Sequence, residues 1–257
     1  MKTDFRIVPL SALRDNYIWA LIEGARCVVV DPGEAAPVLA FLAAEKLSLE
    51  AILLTHRHAD HQGGVAELLA HRAVPVYGPA SPAMPQVSQV LVDGQELALD
   101  GFSQPWRVLA VPGHTEEHIA CLWNGALFCG DTLFAAGCGR LLGGTAPQLF
   151  ASLQRLAALP AETRVYCAHE YTLSNLAFAA AVEPDNLQIK ARRASCETLR
   201  EEGRSTLPSS LAEERASNPF LRCTEPAVIA AAEKHAGHAL RGPLEVFTAL
   251  RQWKDSF

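Results

Sequence analysis

The segment Thr55-His56-Arg57-His58-Ala59-Asp60-His61 places four groups able to bind a metal within six residues. Imidazole and carboxylate suit zinc, iron or manganese. His56 and His58 are two apart, so on an extended backbone they project to the same side. Asp60 and His61 are adjacent, and a turn there can aim both at a second point. Three further candidates lie downstream: His114 in Val111-Pro112-Gly113-His114-Thr115, Asp131 in Phe128-Cys129-Gly130-Asp131-Thr132, and His169 in Tyr166-Cys167-Ala168-His169-Glu170. Taken singly, His114 could cap a turn, Asp131 could cap a helix, and His169 could be a surface residue. Together they complete two metal spheres, which core packing does not explain.

Each candidate must be carried by an element. Tyr17–Ile22, Cys27–Val30, Ala51–Leu54, Val90–Val92, Val108–Val111, Ile119–Trp123, Leu127–Cys129 and Arg164–Cys167 read as strands, rich in β-branched and aromatic residues. Every candidate ligand or cluster follows one of these runs and so falls in a loop, where function concentrates. Helical stretches are expected at Pro37–Lys46, Val65–His71 and Pro147–Leu159. From Leu173 onward the pattern is helical, with breaks near Glu183–Asp185, Thr206–Ser209, Asn218–Pro219 and Gly242–Pro243. These features predict a mixed α/β domain over 1–170 and an α-helical domain over 171–257.

Composition excludes several classes. The chain has 257 residues, 49% apolar and 19% charged, which argues against disorder. Its net charge of −6 argues against binding long nucleic acid, whose affinity rests on phosphate contacts. No apolar run approaches a membrane span, and Met1–Arg6 lacks the apolar core of a secretion signal. Seven cysteines, an odd number with no C-x-x-C pair, read as buried free thiols in a reducing compartment. A cytoplasmic protein with no membrane partner is expected, and a monomer is the default.

The H-x-H-x-D-H segment, the Pro-Gly-His-Thr and Cys-Gly-Asp-Thr turns and the late histidine resemble the metallo-β-lactamase superfamily. Within it the chain is most similar to the glyoxalase II (hydroxyacylglutathione hydrolase) family. The narrower likeness rests on Asp15-Asn16-Tyr17-Ile18-Trp19, Val30-Asp31-Pro32-Gly33, Gly137-Cys138-Gly139-Arg140 and Ala168-His169-Glu170-Tyr171-Thr172. It continues in Asn218-Pro219-Phe220-Leu221-Arg222 and Arg251-Gln252-Trp253-Lys254-Asp255.

The resemblance implies an αββα sandwich followed by a helical domain. It implies two divalent metal ions, zinc first, with iron or manganese as alternatives. His56, His58 and His114 would hold one, and Asp60, His61 and His169 the other. Asp131 and a water or hydroxide would bridge them. The implied reaction is hydrolysis of the thioester of S-(2-hydroxyacyl)glutathione, such as S-D-lactoylglutathione, to glutathione and D-lactate, the second step of methylglyoxal detoxification. Asp60 and Asp131 are the expected catalytic carboxylates. Arg251 and Lys254 would clamp the glycine carboxylate, Tyr171 would bond the tripeptide backbone, and Arg140 stands where the family often has lysine. Arg57 departs from a common histidine, and Leu142 from a tyrosine that some members use at the carboxylate.

The other histidines have plainer readings: His118 supports its turn by hydrogen bonds, and His71, His235 and His238 are surface or helix residues. Glu116 and Glu117 are expected to be solvated. Competing functions are a glutathione persulfide dioxygenase with a single iron, a superfamily nuclease, a β-lactamase, and a non-catalytic metal-binding protein. Purely structural zinc sites favour closed, cysteine-rich tetrahedra, unlike this set.

Overall fold

The computed structural model describes residues 5–257. The segment read against a secretion signal begins with residues 1–4, which lie outside the described residues. Two compact units are present: one runs up to Ala110 and includes Glu117–Gly130, and the other comprises Val111–Glu116 and Asp131–Phe257.

The first unit contains a sheet of six strands in sequential order: β1 (Phe5–Ala12), β2 (Asn16–Glu23), β3 (Arg26–Val30), β4 (Ser48–Leu53), β5 (Val76–Gly78) and β6 (Gln89–Val90). The first two pairings are antiparallel and the rest are parallel. Parallel neighbours need crossovers, and helices α1 (Ala36–Glu45), α2 (Ala59–Gln62) and α3 (Val65–His71) lie in them. Ile18, Ala20 and Ile22 on β2 pack with Val29, Ile52, Val38, Leu42, Val65 and Leu68 in one core. The alternate β2 residues Tyr17, Trp19 and Leu21 are buried as well, so both faces of this strand are covered.

Strands β7 (Glu96–Leu97), β8 (Trp106–Ala110), β9 (Ile119–Trp123) and β10 (Ala126–Gly130) form consecutive antiparallel pairs. Trp106 stacks on Trp123 at 5.5 Å and meets Phe128 at 5.7 Å. Such pairs contribute ~0.5–1.5 kcal/mol each beyond the area they bury. Phe5 on β1 meets Trp123 edge-on at 4.9 Å.

The second unit is mainly helical: α4 (Ala146–Ala157), α5 (Thr172–Val182), α6 (Leu187–Glu201), α7 (Leu211–Ser217), α8 (Pro226–Ala236) and α9 (Pro243–Ser256). It also holds the short pair β11 (Leu133–Phe134) and β12 (Gly137–Cys138), and β13 (Arg164–Cys167) beside β14 (Ser209–Ser210). Phe178, Phe220 and Phe247 form a continuous ring cluster with centroids 5.8 Å apart. Asn218, at the head of the Asn-Pro-Phe-Leu-Arg segment, donates to Gly137 O at 2.9 Å and to Phe134 O at 3.3 Å. The backbone N–H of Ala136 donates to the buried Glu214 carboxylate at 2.8 Å. That motif therefore pins the β11–β12 hairpin immediately after Asp131.

Two expectations shift. The strand expected at Val90–Val92 covers only Gln89–Val90, and Val92 is exposed. Strand β1 was not expected, because Arg6, Pro9 and Ser11 interrupt its apolar pattern. It is an edge strand, where proline is tolerated.

Candidate metal centre and substrate pocket

In the first unit, the backbone leaves β4 through Leu54 and Thr55 and enters α2 within a few residues. His56 and His61 are fully buried. His56 Nε2 lies 3.0 Å from His58 Nδ1, and His61 Nε2 lies 3.4 Å from Asp60 Oδ2. Behind them sits Asp31, at a positive φ of 53°. Its carboxylate accepts from the Thr55 N–H at 2.8 Å, the Thr55 hydroxyl at 2.7 Å and His61 Nδ1 at 3.0 Å. A proton held on His61 Nδ1 leaves Nε2 as the lone-pair donor, the usual role of a carboxylate behind a metal-binding histidine. Asn16 donates to Asp60 Oδ2 at 3.0 Å and so orients that carboxylate. A Cβ on Gly33 would come within 2.0 Å of Asp60 O, so only glycine lets the Val-Asp-Pro-Gly turn lie against the ligand loop.

The histidine reading is extended at His118, whose buried ring stacks on His56 at 4.6 Å. Glu117 overturns the expectation of a solvated side chain: it pairs with the Arg57 guanidinium and accepts from the Arg57 N–H at 3.1 Å. Asp31 and Asn16 belong to the Val-Asp-Pro-Gly and Asp-Asn-Tyr-Ile-Trp motifs and not to the expected ligand set. Their direct signal is a polar residue bordering an apolar run: Asn16 opens β2 and Asp31 directly follows β3.

In the second unit, Asp131 lies between two histidines. Its Oδ2 lies 3.4 Å from His114 Nε2 and its Oδ1 lies 3.3 Å from His169 Nε2. His114 Nδ1 donates to Arg140 O at 2.7 Å, which leaves Nε2 as a donor of electrons. A Cβ on Gly139 would lie 1.9 Å from Asp131 O and 3.1 Å from His114 Nδ1. That position admits only glycine.

These donor sets fit divalent cations. Two donors that each lie ~2.0–2.1 Å from one tetrahedral ion are about 3.3 Å apart. The Asp60–His61, His114–Asp131 and His169–Asp131 separations match that value. All are neutral-imidazole or carboxylate donors, with no thiolate among them. Burial pushes the thiols of Cys27, Cys121, Cys167 and Cys223 up to about 12, which removes them as nucleophiles near neutral pH.

The four expected substrate residues line one cavity of the second unit, about 280 Å³ in volume. Arg140, Tyr171, Arg251 and Lys254 face it together with Phe134, Ser174 and Asp255. Tyr171 stacks on His169 at 4.7 Å and 6°, so the cavity adjoins a metal-ligand candidate. Lys254 Nζ donates to Ser174 O at 3.2 Å, and burial followed by the nearby Arg251 charge lowers its pKa. Arg251 is buried and donates to Cys138 O at 3.0 Å and to Asp255 at 3.0 Å. Leu142 is exposed.

Two family models match the chain: the metallo-β-lactamase superfamily over residues 13–169 and the hydroxyacylglutathione hydrolase C-terminus over 170–257. A hydroxyacylglutathione hydrolase of Alkalilimnicola ehrlichii is 55% identical over 251 residues, covering 97% of this chain and 98% of that protein. The chain belongs to the hydroxyacylglutathione hydrolase family. It is a hydrolase of the metallo-β-lactamase superfamily, with a C-terminal helical region. Among solved structures, the B3 metallo-β-lactamase BLEG-1 shares the fold, with a TM-score of 0.62 at 24% identity over 85% of this chain and 99% of its own. TTHA1623, solved in a di-iron-bound form, is 34% identical over 64% of this chain and 91% of its own, with a TM-score of 0.54.

Proposed function

We propose that the chain hydrolyses S-(2-hydroxyacyl)glutathione, S-D-lactoylglutathione first, to glutathione and the 2-hydroxy acid, the second step of methylglyoxal detoxification. The observation that carries this reading is the cationic cavity beside Tyr171, whose ring is stacked on His169. A thioester bearing an anionic tripeptide can be held there with its acyl end towards the metal ligands. Residues 1–170 would then carry the metal ligands and 171–257 most of the glutathione contacts.

His56, His58 and His114 would hold one divalent ion, and Asp60, His61 and His169 a second. Asp131 would bridge them, since its two oxygens face different histidines. Zinc is the first choice, with iron or manganese compatible with the same donors. When bound, such ions acidify water and stabilise charge developing on a carbonyl oxygen.

The chain's own residues do the rest. Asp31 and Arg140 O hold protons on His61 Nδ1 and His114 Nδ1, so both Nε2 atoms stay available. Asn16 keeps Asp60 aimed. Arg140, Tyr171, Arg251 and Lys254 position the tripeptide. The leaving thiolate, with a solution pKa near ~8.5, departs without a strong general acid. The protein would work as a cytoplasmic monomer. Turnover of S-D-lactoylglutathione by purified protein, with its metal content measured, tests the reading. Two bound metals without thioesterase activity would reject it.

A further inference from the structure

The cavity that receives the tripeptide already holds an anion of the chain's own. Asp255 Oδ1 lies 3.0 Å from Arg251 Nη2 and 3.3 Å from Arg140 Nε. One carboxylate thus spans two guanidinium groups of the cavity, one of them the Arg251 expected to clamp the substrate carboxylate with Lys254. The two arginines are unlike. Arg251 is 5% exposed and fixed by the Cys138 carbonyl, whereas Arg140 is 68% exposed. Arg251 Nε is buried with no acceptor among the described residues, so this guanidinium has donor capacity to spare.

Helix stability accounts for Asp255 only in part: it pairs with Arg251 at i,i+4, in the less favourable cation-first order. It lies in the last turn of α9, where the helix macrodipole disfavours a negative side chain. The neighbouring charges hold it there: Arg140, Arg251 and Lys254 outnumber it three to one in the cavity lining.

We propose that Asp255 sets the affinity of this cavity for anions: it is an internal counter-anion that an incoming substrate carboxylate must displace from the arginines. The proposal rests on the glutathione reading above. Displacement falls first on the exposed Arg140, whose ion pair is the weaker. An uncharged ligand end leaves the Asp255 ion pairs in place and does not compete with that carboxylate. Glutathione, the product, carries the same carboxylate as the substrate, and affinity for that group alone would slow product release without favouring the transition state. Asp255 limits that uniform affinity.

Calorimetric binding of S-methylglutathione, which has no thioester, tests the proposal, with its glycine-amide analogue as the uncharged comparison. Asp255→Asn should bind the acid form about two- to fivefold more tightly than wild type, the range expected for removing one competing, partly exposed ion pair. Binding of the amide should change by less than twofold. Asp255→Ala must shift affinity in the same direction, and Asp255→Glu should return it towards wild type. Equal or weaker binding of the acid form by Asp255→Asn and Asp255→Ala overturns the proposal and makes Asp255 a support for the arginines. Failure of the wild type to bind the acid form overturns the glutathione reading with it.

Discussion

Arg57 and Glu117 form a two-point clamp in the first unit: the Arg57 backbone N–H and its guanidinium donate to opposite oxygens of one carboxylate. Arg57 lies between His56 and His58, so the clamp fixes the backbone that aims both rings. Its partly exposed ion pair is worth ~1 kcal/mol or less. Glu117→Gln keeps an acceptor and loses the charge. It should weaken metal retention by roughly fivefold or less, read by competition with a chelator. Retention equal to wild type would show that Arg57 only covers the surface.

Asp31→Asn reaches the site by a different route. The carboxylate accepts from Thr55 twice and from His61 Nδ1. A carboxamide that keeps the Thr55 N–H bond would turn its NH₂ towards the Thr55 hydroxyl and His61, and would favour the wrong tautomer. Loss of such a supporting acceptor typically costs 10–100-fold in metal affinity. Metal titration of the apoprotein measures it, and an unchanged affinity would remove Asp31 from the site.

The contrast between Asp31 and the ligands shows what a sequence makes legible. His56, His58, Asp60 and His61 stand out because four donor side chains in six residues have no packing explanation. Strands β2, β3, β9, β10 and β13 are legible because burial on both faces demands continuous apolar runs. Strand β1 was hidden by Pro9, and Glu117 read as solvent-exposed because nothing local marks its partner sixty residues earlier. Asn218 and Glu214 were opaque in the same way. Their bonds to the β11–β12 hairpin join residues about eighty positions apart, and no periodicity encodes such a pair.

Asp131 is expected to be the ligand whose loss is most damaging, because each of its oxygens faces a different histidine. Asp131→Ala should lower the content of both metals and remove most activity. His169→Ala should lose mainly one metal. Elemental analysis of the two purified variants checks this, and two retained metals in Asp131→Ala would end its shared role.

Lys254 gives a pH signature. Burial and the Arg251 charge hold its pKa below the ordinary value of 10.5. A lysine with a lowered pKa loses its proton at lower pH, and only the protonated form attracts a carboxylate. KM for the glutathione thioester should therefore rise with pH, beginning below the usual lysine range, while kcat changes less. Lys254→Arg stays charged and should move that rise to higher pH. Superimposable KM profiles for wild type and Lys254→Arg would exclude Lys254 from substrate binding.

Arg251 and Lys254 lie three apart on α9, yet their surroundings assign them different work. Lys254 is half-buried and its ammonium reaches Ser174 at the cavity edge. Arg251 is buried, donates to Cys138 O, and lies over the Phe220 ring at 5.2 Å. Removing Arg251 strips a buried carbonyl of its partner and leaves Asp255 with one arginine fewer. Unsatisfied buried groups cost ~1–3 kcal/mol. Arg251→Ala should therefore lower the melting temperature by several degrees as well as raise KM. Lys254→Ala should raise KM with a melting temperature within a degree or two of wild type. The separation can be read from paired melting curves and steady-state kinetics. If Arg251→Ala raises KM with no thermal cost, its bond to Cys138 O contributes little, and Arg251 acts on the substrate alone. If it lowers stability with KM unchanged, Arg251 supports the Gly137–Arg140 turn, and Lys254 and Arg140 bind the carboxylate without it.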